Sequence, residues 1–129
     1  MHKGFLKTGF ILAVLSVAMG AFAAHGLKEF ISSKSMDTFE TAVRYQFYHV
    51  FALIITAIIY KEFHFKIVKA AGWFFIVGII LFCGSLYVLA FKQGLVQPGS
   101  QWVGVITPFG GLSFITGWIL LFASMCKGK

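Results

Sequence analysis

Four long apolar runs occupy almost the whole of this 129-residue chain, and no other feature restricts its fold as much. Crossing roughly 30 Å of hydrocarbon in a helix takes about 20 mostly apolar residues. Sheet does not suit such runs, because open strand edges find no hydrogen-bond partners in lipid. The expected fold is therefore all-α: an integral membrane four-helix bundle in a single domain, residues 1–129, with spans at about 5–24, 45–60, 67–91 and 108–126. Charged residues make up only 12% of the chain against 59% hydrophobic, so no segment is polar enough to form a second, water-soluble domain.

The net charge of +7 belongs to this same picture. The basic residues flank the apolar runs, as anchors on anionic headgroups do. No basic face interleaved with stacking aromatics appears, so nucleic acid is not an expected partner. Lys3, Lys7, Lys61, Lys66, Lys69, Lys127 and Lys129 fall on the side of the termini, and Lys28, Lys34, Arg44 and Lys92 on the other. Positive residues favour the cytoplasm, which predicts both termini cytoplasmic. The first run ends in Ala21-Phe22-Ala23, a passable signal-peptide cleavage pattern, but its length fits a retained span better. Cys83 and Cys126 lie inside apolar segments, poorly placed to bridge one another, and read as small apolar fillers. His2 and His64 read as surface residues.

The first loop is the most polar part of the chain. Ser35 or Asp37 can cap a helix there, and Asp37 with Glu40 resembles a capping box. Phe39, Val43, Phe47, Val50 and Ile54 then continue one apolar face into the second span. An amphipathic extension at about 36–44 is expected to project beyond the bilayer, with Glu40 and Arg44 paired at i,i+4. Gly94, Pro98 and Gly99 mark the third loop as a turn. Pro108 removes a backbone hydrogen bond and disfavours helix at Thr107. The fourth helix is expected to begin at Pro108, the alternative being a start near Trp102 with a kink.

Helices in lipid associate through close packing at small residues. The expected packing positions are Ser16, Gly20 and Ala24 on the first helix, Gly72, Gly78 and Gly84 on the third, and Ser113 and Gly117 on the fourth. They serve packing within the bundle or a face for a second copy.

Mapped onto this topology, polar residues gather at the extracytoplasmic end: His25, Tyr45, Gln46, His49, Ser85, Tyr87 and Thr107. Polar groups at membrane depth face the bundle interior and find partners there. One reading is a self-satisfied polar cap. A second is a pocket for a small ligand such as a lipid headgroup or quinone-like molecule. A third is haem or metal ligation by His25 and His49, since imidazole suits iron, copper and zinc. No cofactor or metal is assigned, because His49 has no second ligand at i+3 or i+4. A nucleophile with its base and orienting acid is absent, and no nucleotide or zincin motif occurs, so catalysis is not expected. The expected partners are membrane lipids and a membrane-protein partner or second copy.

Several stretches nevertheless form a recognisable set. They are Gly20-Ala21-Phe22-Ala23-Ala24-His25-Gly26-Leu27, Tyr45-Gln46-x-x-His49, Leu81-Phe82-Cys83-Gly84-Ser85-Leu86-Tyr87 and Ile106-Thr107-Pro108-Phe109-Gly110-Gly111. In this order they resemble the domain-of-unknown-function 423 family, the UPF 0382 membrane proteins, which also includes the eukaryotic transmembrane protein 256. The likeness covers nearly the whole chain, with Cys83 where serine is expected and a longer polar tail in the first loop. It implies a four-span protein of the bacterial cytoplasmic membrane and carries over no reaction, substrate or catalytic residue.

Overall fold

A computed structural model describes residues 1–63, 65–94 and 101–127. Helix α1 covers Lys3–His25, and a one-turn 3-10 helix at Leu27–Glu29 leads into α2, Ser33–Ile59. Next come α3, Phe65–Gly78, a π turn over Ile79–Cys83 and α4, Gly84–Gly94. These three run on as one span, and α5 follows at Gln101–Cys126. Four helices are thus long and apolar enough to cross a membrane, and no strand occurs among the described residues.

The order of packing is α1 on α2, α2 on the third span, and the third span on α5. Opposing contacts fix the directions. The His2 amide donates to the Ala57 carbonyl at 2.7 Å, whereas Ala23 clusters with Phe39, so α1 and α2 are antiparallel. Gly117 meets Phe75 while Thr107 meets Ser85, so α5 runs against the third span. Both described chain ends therefore lie at one end of the bundle.

His2, expected at the surface, is half-buried and caps α1. Its Nδ1 accepts the Phe5 amide at 3.1 Å, and its ring stacks on Phe5 at 3.9 Å. An orphan donor of the first turn is satisfied in this way. The face of α1 turned to the bundle carries Phe5, Gly9, Ser16 and Ala23. Gly20 is half-buried beside Val43, and Ala24 is exposed. The step from Gly20 to Ala23 rather than Ala24 keeps small residues on one stripe, since a strict four-residue step drifts around a 3.6-residue helix. Gly9 makes room for Ile54 and Gly72 for the Phe5 ring.

Helix α2 begins earlier than the expected extension. Ser32 caps it, accepting the Ser35 amide at 3.2 Å, in place of Ser35 or Asp37. Its buried face carries Phe39, Val43, Gln46, Val50, Leu53 and Ala57, which exchanges two expected apolar positions, Phe47 and Ile54, for their neighbours. Arg44 donates to Thr41 Oγ1 at 3.2 Å, rather than serving the expected pair with Glu40. Cys83 and Cys126 are both free thiols, the first buried and the second exposed.

Helix α5 does not start at Pro108: it runs from Gln101 with Pro108 inside it. The proline ring faces the carbonyl of the residue four earlier, here the exposed Gly104, whose added Cβ would meet nothing within 4 Å. Helix-breaking residues survive in spans where neighbouring helices and hydroxyl side chains take up freed backbone groups. Gly110, two residues after the proline, lies against the backbone of Phe82. Phe82 belongs to the π turn, where the Gly84 amide reaches the Ile79 and Leu81 carbonyls, and Ser85 Oγ donates to the Phe82 carbonyl at 2.9 Å. The two irregular stretches face each other. Of the expected turn, Pro98 and Gly99 lie outside the described residues, as does His64, and Gly94 ends α4.

Candidate functional site

The polar side chains singled out from the sequence divide into three groups. The first centres on Gln46, which is buried in the middle of α2. Its Nε2 donates to the Leu12 carbonyl at 3.3 Å, and its Oε1 accepts from Tyr87 Oη at 2.6 Å. A carbonyl can only accept, so the amide orientation is fixed by its partners. Leu12 also accepts from Ser16 Oγ at 2.8 Å. One carbonyl thus holds α1 to α2, and Gln46 holds both to α4.

The second group centres on His49, one turn further along α2. Its Nδ1 donates to the Tyr45 carbonyl at 2.7 Å, and its Nε2 accepts from Trp118 Nε1 at 3.3 Å. Carbonyls only accept and indoles only donate, so the imidazole is neutral with its proton on Nδ1. The ring lies flat on Phe114, centroids 3.5 Å apart and planes 8° from parallel. Tyr45 is exposed, its ring tilted against Phe82 at 4.7 Å. The third group is a hydroxyl pair, Ser85 Oγ with Thr107 Oγ1 at 2.6 Å, which joins α4 to α5 beside the paired irregularities.

His25 joins none of these. It is the exposed last residue of α1, thirteen residues beyond Leu12, which is about 20 Å along a helix. Gln46 sits at the level of Leu12, so His49 lies deep in the bundle rather than under the surface that carries His25. The expected cluster of both imidazoles therefore does not form, and neither does the His25–His49 ligand pair. Axial register, set by the Leu12–Gln46 contact, separates them. With Nε2 of His49 engaged, that ring offers no lone pair to iron or zinc, and no group of three metal-ligating side chains occurs among the described residues.

Sequence reasoning missed Leu12, whose contribution is a backbone carbonyl, and Trp118, whose indole stands in the apolar run of α5 and reads there as one more bulky side chain. Of the expected packing residues, Gly78 receives Phe114, Gly117 receives Phe75, and Ser113 Oγ donates to the Phe74 carbonyl at 2.7 Å. Gly84 meets nothing on the side where its Cβ would stand. It borders two shallow grooves instead, one beside α1 and one beside α5.

Fold and site together define a small polytopic all-α membrane protein in which Gln46, His49, Ser85, Tyr87, Thr107 and Ser113 tie the spans to one another. Residues 19–111 match the family described as protein of unknown function (DUF423). The chain belongs to that family. It is 42% identical to a UPF0382 membrane protein of Staphylococcus haemolyticus, covering 97% of both chains. It is 38% identical to the UPF0382 membrane protein YwdK of Bacillus subtilis, over 97% of this chain and 98% of the relative. A UPF0382 membrane protein of Haemophilus influenzae is also 38% identical, over 100% of this chain and 98% of that one. No solved structure matches the chain significantly.

Proposed function

We propose that this protein is a non-enzymatic component of the bacterial cytoplasmic membrane that acts by packing against lipid and a membrane-protein partner, as an accessory subunit. The state of His49 carries the reading. It is the imidazole at the centre of the polar groups, and both its nitrogens are engaged within the fold. General acid or base work requires a ring nitrogen within reach of a substrate proton, and here that reach is taken by Trp118.

The outward surface supports the same reading. Phe10, Ile11, Val14 and Val17 of α1 and Phe109, Leu112, Ile119 and Phe122 of α5 are exposed. The excess of lysines beside the chain ends supports a cytoplasmic position for both termini, which cysteine labelling from either side of intact cells tests.

Photo-reactive residues at Val14 and Phe122 in living membranes test the partner directly. A discrete protein adduct at one of them, absent from the buried position Ala57, is expected. Lipid adducts alone at every outward position overturn the accessory reading. Substrate turnover by the purified protein that disappears in His49→Leu overturns the non-enzymatic one.

A further inference from the structure

A groove of about 220 Å³ opens toward lipid between α1 and the π turn, lined by Leu12, Leu15, Met19, Gln46, Cys83 and Tyr87 among others. Its wall is apolar except for the Gln46 amide and the Tyr87 hydroxyl. Gln46 is 4% exposed. Its Nε2 carries two protons, and one goes to the Leu12 carbonyl. The second has no acceptor among the described residues. Tyr87 Oη spends its proton on Gln46 and keeps a free lone pair. Nothing in hydrocarbon can answer an amide N–H, and leaving one unmet costs several kcal/mol. Among the groups described above, this donor is the exception to internal pairing.

Depth selects the acceptor. Leu12 stands two residues from the midpoint of α1, about 3 Å from it along the axis. An ester carbonyl or phosphate of a bilayer lipid sits near the edge of the hydrocarbon, too far away to reach it. The acceptor must be carried by a molecule that dissolves in the bilayer core. The groove is also smaller than the roughly 300–1,000 Å³ of pockets that enclose a whole drug-sized ligand. It admits a ring and leaves a tail in lipid.

We propose that this groove binds a lipid-soluble molecule with a ring carbonyl, of the quinone class, through the free N–H of Gln46. A reduced, hydroxyl-bearing form of the same ring finds the lone pair of Tyr87 Oη. Gly84 stands on the wall of this groove, and a Cβ there meets no atom within 4 Å. The inference goes beyond the packing role proposed above and does not rest on it.

The test uses the full chain in detergent with a decyl-substituted benzoquinone as probe, read by the thermal shift and by equilibrium dialysis. Saturable binding is expected, with a loss on the order of tenfold in Gln46→Met, the scale of one hydrogen bond. Gly84→Val adds bulk at the groove wall without replacing Gln46, Leu12 or Tyr87, and a comparable or greater loss is expected. That variant decides the matter if Gln46→Met does not fold. Absence of saturable binding to the wild type overturns the proposal. So does equal binding of a decyl chain on a ring without carbonyls, or undiminished binding in Gly84→Val.

Discussion

Gly110→Ala places one methyl group where α5 and the third span come closest, and its cost follows from what that methyl would touch. The nearest atoms are the amide nitrogen, Cα and Cβ of Phe82, all well inside van der Waals separation. Two of the three are backbone, so no rotamer change relieves the clash and the helices must part. Overpacking of this kind costs about 1–3 kcal/mol. Parting the helices also strains the Ser85–Thr107 hydroxyl pair, 2.6 Å long and close by. Against this stands a gain of roughly 0.5–1 kcal/mol from replacing a helical glycine. Gly104→Ala isolates that gain, because the same helix leaves open space there. Unfolding in mixed micelles should therefore show Gly104→Ala unchanged or slightly stabilised and Gly110→Ala less stable by about 1–2 kcal/mol. Equal stability of the two variants would refute the close approach of α5 to the π turn.

The remaining expectations concern the polar groups and the thiols. His49→Leu removes the acceptor of Trp118 and should destabilise by about 1 kcal/mol in detergent melts, as interhelical hydrogen bonds in membranes do; a loss of several kcal/mol would mean that the ring is doing more than holding α2 to α5. A double-mutant cycle of Ser85→Ala and Thr107→Val should give a coupling of about 0.5–1.5 kcal/mol, and a value near zero would contradict the pair. Exposed Cys126 should react with a maleimide in the folded protein, whereas buried Cys83 should react only after denaturation. Equal rates would place Cys83 elsewhere.

How much of this was legible in the sequence depends on what fixes each feature. The spans follow from hydropathy, which is local. The apolar face entering α2 was readable from Phe39, Val43 and Val50, because that segment lies where polar and apolar sides differ. Deeper in the membrane the helices are apolar all round, and periodicity no longer reports rotation. For that reason Ala23 replaced Ala24 on the buried stripe of α1, and Gln46 took a position read from Phe47. His25 and His49 share a side of the topology but not a depth, since axial register depends on a contact between residues 34 apart, Leu12 and Gln46. Pro108 breaks the local rule because proline's own effect is disruptive, whereas α5 runs through it just before Gly110 packs on the neighbouring span. The π turn left no signal beyond its bounding glycines, Gly78 and Gly84.

A nitrogen-15 NMR spectrum of imidazole-labelled protein in lipid bilayers shows most directly whether His49 is spent inside the bundle, tying α2 to α5. The expected spectrum for His49 is that of a neutral ring protonated at Nδ1, with an unprotonated Nε2 correlated to the Trp118 indole proton. An Nε2-protonated ring, or one exchanging with water, would contradict it.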